Sequence, residues 1–256
     1  MNIRMRRLIT IPLPMLIIGS IALLFSYIYT SQILTFIGLG LLFWGSVLYY
    51  SVSSYHVPRK LLDAYARSYA ESIRDLRSKI GTGTIKKAVF FYPSSLKSIM
   101  QGYVIFYDGI DIRSLLTVYS KGVEDGMDSV VYSGEGYIVL KAYSQGIVDL
   151  IEDRAEKNLA LVDINELQSE LYKVMVEDLL IADDIILDVE GDSVRVKIVG
   201  KDNAALCSSI EDQSLCPLCS GIALAVSKST GKAVTIQDSI VKSKSVENTL
   251  RLIDMR

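Results

Sequence analysis

Formal charge is what the first part of this sequence lacks. Between Arg7 and Arg59 there is no Asp, Glu, Lys or Arg, and every acidic residue lies beyond residue 60. A water-soluble domain cannot cover so long an uncharged apolar segment, so a plain cytosolic or secreted protein is excluded. Histidine is nearly absent as well. His56 is the only one, two residues before Pro58 and beside the apolar segment. Ser-His-Asp and Cys-His hydrolases need an imidazole beside the nucleophile, and the chain has none to place there. Excess positive charge is missing too. Without Arg4, Arg6 and Arg7, residues 59–256 hold 24 basic against 29 acidic residues. Phosphate contacts need clustered positive charge, so nucleic acid is not an expected partner.

What is present in residues 1–58 reads as a transmembrane helical hairpin. The apolar runs cover about 8–29 and 33–52, and a helix of about 20 residues spans a bilayer's hydrocarbon core. Thr30-Ser31-Gln32 is too short a link for anything but antiparallel helices. Pro12 and Pro14 suit a first helical turn, where a missing N–H costs little. Tyr27, Tyr29, Tyr49, Tyr50 and Tyr55 fall near the span ends as interfacial aromatics. The first run is too long, and too directly followed by a second, for a cleaved signal. Arg4, Arg6 and Arg7 flank one end, Arg59 and Lys60 the other, and the loop carries no charge. Both termini are therefore expected in the cytoplasm, with two spans in the cell membrane. No ionisable residue lies within the spans, so a transport pathway is not expected there.

Residues 59–80 read as an amphipathic juxtamembrane helix. Leu62, Tyr65, Tyr69, Ile73, Leu76 and Ile80 recur at a mean helical spacing, opposite Arg67, Glu71, Arg74 and Arg77. Acids mixed into the polar face favour packing on its own domain, or on a second copy, over lying on anionic lipid. Residues 81–256 follow as an α+β cytoplasmic domain. Its first part, 81–160, is strand-rich: Ile85–Tyr92 and Tyr103–Tyr107 read as strands, 137–153 as a helix. The remainder, 163–256, reads as helix–strand–strand–helix–strand–strand. Asp163 with Glu166 opens a helix expected to reach Ala182. Ile185–Glu190 and Ser193–Val199 form a hairpin around Gly191-Asp192. A loop carries Cys207, and Pro217 starts a helix closed by Gly231. Strands near 232–238 and 246–253 finish the chain. Gly221, Ala225 and Ser227 give that last helix a small-residue face that something must approach closely, with the sheet the expected neighbour.

The sharpest local motif is Cys216-Pro217-Leu218-Cys219. A cysteine at a helix N-terminus has its thiolate stabilised by the helix dipole. The string resembles the CPxC centre of glutaredoxin-like proteins. That family also needs a proline further along to face the pair, and no proline follows Pro217. Zinc is the alternative: the CxxC supplies two ligands and Cys207 a third, with Asp212 or Glu211 as an unusual fourth. An odd cysteine cluster of this kind suits a reducing compartment rather than a secreted disulfide framework. Buried thiols without a cofactor are the plain expectation. Ser94-Ser95-Leu96-Lys97 and Lys228–Lys232 resemble enzyme and phosphate-loop motifs only in fragments.

The helix ending in LLIADD, the hairpin IILDVEGDSVRVKI, the stretch CPLCSGIALAVSKSTGKAVTI and the strand ENTLRLI together resemble the 4-vinyl reductase domain and the related transport-particle (TRAPP-type) fold. The resemblance covers about 163–256. It implies a ligand-binding or dimeric scaffold module rather than a catalyst. The expectation is thus a membrane-tethered, non-enzymatic module whose partner is a small apolar ligand, another protein or a second copy. A thiol redox or metal-binding protein built on Cys207, Cys216 and Cys219, and an accessory subunit of a membrane complex, remain the alternatives.

Overall fold

The computed structural model describes residues 12–53, 66–75, 87–93, 101–108, 111–122, 131–134 and 136–255. The flanking bases Arg4, Arg6, Arg7, Arg59 and Lys60, and both ends of the juxtamembrane segment, lie outside these residues. The chain divides into two compact units, Met1–Leu62 and Asp63–Arg256.

The first unit is an antiparallel pair of helices, α1 (Pro12–Tyr29) and α2 (Gln32–Ser53). Glycine lets their backbones meet. A Cβ on Gly19 would lie 3.0 Å from the Gly38 carbonyl oxygen, and one on Gly45 would lie 3.0 Å from Leu16. Glycine at these positions leaves room for the facing helix to approach closely. The turn is fixed by hydrogen bonds. The Ser26 hydroxyl donates to the Ser31 carbonyl and also meets the Thr35 hydroxyl. Ile17, Ile18, Leu24, Phe25, Phe36 and Phe43 point outward and are exposed. Among the described residues one helix, over Gln32–Tyr49, is long and apolar enough to cross a membrane; the apolar stretch of α1, Leu13–Tyr29, is shorter.

The second unit is α+β. It contains helix α3 (66–75), strands β1 (Lys87–Phe91) and β2 (Tyr103–Tyr107), α4 (Ile112–Gly122), β3 (Val131–Gly134) and β4 (Tyr137–Lys141). Helices α5 (Gln145–Ala155) and α6 (Ile164–Tyr172) follow, then β5 (Asp184–Glu190), β6 (Ser193–Val199), α7 (Lys201–Ser208), α8 (Pro217–Thr230), β7 (Ala233–Lys242) and β8 (Ser245–Ile253). All eight strands join one antiparallel sheet in the order β3-β4-β2-β1-β7-β8-β6-β5.

Burial of the strands matches their composition. Tyr103–Tyr107 is an unbroken apolar run, and the strand is buried on both faces. Val104 and Phe106 join the main core with Phe90, Ile138 and Leu140, while Ile105 and Tyr103 join a second core with Phe91, Val139 and Leu116 of α4. In β6, Val194, Val196 and Ile198 are buried and Arg195 is exposed, so the alternation read from the sequence holds. Asp163 caps α6 by accepting from the Asn165 and Glu166 amides. Gly191 at φ 61 makes the hairpin turn, and Gly231 at φ 66 closes α8. Ala70 of α3 belongs to the main core and Ile73 packs against it, so this helix packs on its own domain.

Several expectations are corrected. Residues 137–141 form a strand, not the start of a helix, because Tyr137–Lys141 pairs with both β2 and β3. Cross-strand pairing thereby overrides a spacing that also fits a helix. The helix after Asp163 does not run evenly to Ala182. It widens into a π-turn over Lys173–Asp178. Cys207 lies on a helix, α7, rather than a loop. The close neighbour of Gly221 is Ile147 of α5, not the sheet: an added Cβ would come within 2.8 Å of it.

Helix α8 is buried from Leu218 to Lys228, including one charge. Lys228 Nζ lies 2.7 Å from Glu152 Oε1 and 2.8 Å from Oε2, with side chains 5% and 18% exposed. The Leu159 amide also donates to Glu152, and the ammonium sits 5.2 Å above the Tyr92 ring. Two predictions follow from this packing. Lys228→Met should cost about 2–4 kcal/mol in denaturant melts by leaving a half-buried carboxylate without its cation, and Glu152→Gln added to it should recover part of the loss. Gly221→Leu should cost roughly 1–3 kcal/mol, relieved by Ile147→Ala in the same chain; an unshifted melt would mean α5 yields freely.

Candidate functional site: a buried cluster of three thiols

The three cysteines come from two helices and the turn between them. Cys207 occupies the last turn of α7, Cys216 is the N-cap of α8, and Cys219 lies in the first turn of α8. Pro217 at N1 has no N–H to lose and presets the helical φ. The connection is held by side-chain caps. Asp212 Oδ1 accepts from the Ser214 amide at 3.0 Å and from its hydroxyl at 2.5 Å. Gln213 Nε2 donates to the carbonyls of Cys207 and Ile210, at 2.9 and 2.7 Å. The end of α7 is thus tied to the turn that leads into α8.

This places the sulfurs face to face. Cys207 Sγ is 2.9 Å from Cys216 Sγ and 3.6 Å from Cys219 Sγ, and all three lie within 4.8 Å of one another. The thiols are free, since a disulfide would need about 2.05 Å. They are 0%, 0% and 1% exposed. Gln213 Oε1 also reaches the cluster and accepts from Cys219 Sγ at 3.6 Å. Ser220 donates to the Cys216 carbonyl. Tyr143 closes the cluster's surroundings, its hydroxyl donating to the Ser214 carbonyl and its ring beside Tyr69 and Phe90. Burial holds that phenol far above its usual range.

The thiols are electrostatically unequal. Hydrogen bonds from Cys207 and Cys219, joined by the backbone amides of Cys219 and Leu218 at the helix start, hold Cys216 well below the usual thiol range. Donating to Cys216 pushes Cys207 up, with burial adding to the effect. Hydrogen bonding to the other two sulfurs, then burial, pushes Cys219 up. Cys216 is thus the thiol of the three whose thiolate is most favoured, as its N-cap position leads one to expect. Chemically, such a cluster can bind a soft metal ion or close a disulfide. Slow attack on outside substrates follows from the burial.

The structure brings together all three cysteines that the sequence singled out. It does not bring either expected acidic ligand to them. Asp212 is turned to Ser214, and Glu211 is 93% exposed and 3.8 Å from Arg74. Gly221, Ala225 and Ser227 are buried packing positions on α8, with Ser227 donating to the Lys232 carbonyl. Gln213 and Tyr143 were not legible as site residues. For Gln213 the one available signal is its place between Cys207 and Cys216. A groove of about 600 Å³ runs beside the cluster, its wall including Cys207, Glu211, Asp212, Gln237 and Asp238.

No family model matches the chain, and neither a curated protein nor a solved structure is significantly similar to it.

Each single Cys→Ser variant should keep its far-UV circular dichroism and lose about 0–2 kcal/mol, as exchanges of one small buried group. The reduced native protein should leave its three thiols slow to react with an aromatic disulfide reagent and give all three after denaturation. Immediate reaction of all three in the native state would contradict the burial.

Proposed function

We propose that this is a membrane-anchored, non-catalytic module that presents a thiol site for a soft metal ion in a cytoplasmic α+β domain. The observation that carries the metal reading is the convergence of three buried sulfurs on one point. Three corners of a zinc–thiolate tetrahedron at 2.3 Å are about 3.8 Å apart; the Cys207–Cys219 separation of 3.6 Å is near that size, and the Cys207–Cys216 separation of 2.9 Å would have to open by about 0.9 Å. Packing alone requires small apolar side chains; it does not require their sulfurs to face one another.

The anchor reading rests on the outward apolar surface of α1 and α2 and on their glycine-mediated contact. In it both helices span the bilayer, both termini lie in the cytoplasm, and the thiols stay in a reducing compartment. The buried apolar side chains of the main core, among them Phe90, Phe106, Leu171 and Met175, favour a scaffold for another protein or a second copy over an apolar ligand. The αββαββ order implied by the 4-vinyl reductase and transport-particle resemblance points the same way. A second reading, thiol redox, is favoured by the Cys207–Cys216 contact of 2.9 Å, which lies about 0.9 Å from disulfide length.

Two measurements test the proposal. Cadmium titrated into the reduced full chain in detergent should give a thiolate charge-transfer band that saturates at one ion per chain and protects the three thiols from alkylation. No band and no protection would remove the metal reading. A Thr30→Cys variant should label with an impermeant maleimide from outside intact cells; labelling only after lysis would reject the topology.

A further inference from the structure

We infer that the three-thiol site selects a monovalent soft ion, Cu(I), over Zn(II). This rests on the reading of the cluster as a metal site and narrows it to one ion. The donor set is the first argument. Zinc sites take four ligands, or three protein ligands and a water. Here three sulfurs form a group that no carboxylate joins among the described residues, and the chain's single histidine is His56. The polar atom nearest in kind to a fourth ligand is Gln213 Oε1, a neutral amide oxygen that accepts from Cys219 Sγ. Its amide nitrogen is committed to the carbonyls of Cys207 and Ile210, which fixes its orientation.

Access is the second argument. The cysteines are 0–1% exposed and only Cys207 of the three walls the groove, so bulk water is not at hand at Cys216 and Cys219 to complete a tetrahedron. A closed-shell Cu(I) ion is satisfied by two or three thiolates and needs no fourth corner, and soft sulfur donors favour it. A triangle of sulfurs around one point is the arrangement it prefers. The third argument is the approach. The groove beside Cys207 is lined by Glu211, Asp212 and Asp238. These hard oxygen donors attract a cation without holding a soft one, so they can guide it to the sulfurs and release it. Binding is an exchange of the ion for thiol protons released to solvent. No electron is transferred, and the cysteines stay reduced.

The test uses the reduced full chain in detergent under anaerobic conditions. Cu(I) is competed against bicinchoninate and Zn(II) against a chromophoric zinc chelator. One Cu(I) per chain should bind, displace bound Zn(II) at equal concentration, and show a sulfur-only first shell by X-ray absorption. Cys216→Ser, still folded by circular dichroism, should weaken Cu(I) binding by about 100-fold or more, beyond the usual effect of losing an outer-shell partner. Retention of Zn(II) against equimolar Cu(I), or an oxygen or nitrogen ligand in the copper shell, would overturn the ion assignment and leave the metal-site reading standing. Failure of Cu(I), Zn(II) and Cd(II) alike would overturn both.

Discussion

Enclosure of helix α8 is the constraint on which the second unit depends. From Leu218 to Lys228 every residue is buried, which a helix tolerates only if no face carries an unpaired polar group. The sequence meets this condition in three ways. Gly221 admits Ile147 at a distance that no side chain would allow. Ser220 and Ser227 turn their hydroxyls onto backbone carbonyls, and Lys228 is neutralised by Glu152. The same enclosure sets the surroundings of the thiols. The helix begins at Cys216, so its amide dipoles point at a sulfur that solvent cannot reach. Site and core are therefore one structure, and a change that loosens α8 at Gly221 also loosens the platform of Cys216 and Cys219.

How much of this was legible in the sequence follows from which signals are local. The hairpin at Gly191-Asp192, the Asp163 cap and the Pro217–Gly231 limits of α8 are written in residues within one turn of each feature, and all are found where read. Tyr103–Tyr107 was legible as a strand because its short unbroken apolar run is followed at once by the Asp108-Gly109 turn signal. Tyr137–Lys141 was misread because Val139 and Leu140 fit a helical stripe with Tyr143 and Ile147. The deciding fact, pairing to Tyr103–Tyr107 some 34 residues earlier, is non-local. The partner of Gly221 was missed for the same reason. Small residues announce a close approach without naming what approaches.

The candidate site was legible in its donors and not in its closure. Cys207 stands nine residues before Cys216, and that interval alone does not say whether the three sulfurs meet. The meeting depends on Gln213, whose amide ties the end of α7 to the turn, and on Tyr143, whose hydroxyl reaches the Ser214 carbonyl from 71 residues away. An amide and a phenol in unremarkable sequence surroundings carry no metal or redox signal of their own. Their part is to hold the backbone that carries the donors.

Buried cysteine is a small hydrophobe, and a core would accept it for volume alone. Volume does not account for the mutual arrangement here. Alanine or valine at positions 207, 216 and 219 would fill comparable space without a titrating group at the start of α8. Three thiols instead impose an electrostatic asymmetry, with Cys216 held toward the thiolate and its two neighbours held toward the thiol. A buried charge is costly to keep without compensation. The hydrogen bonds from Cys207 and Cys219 and the amides of the helix start supply that compensation. A bound cation would offset only part of the charge that deprotonating the cluster creates, so the amides of the helix start would still be needed with an ion in place. The start of α8 therefore favours negative sulfur at Cys216, which small apolar side chains at the same positions would not require.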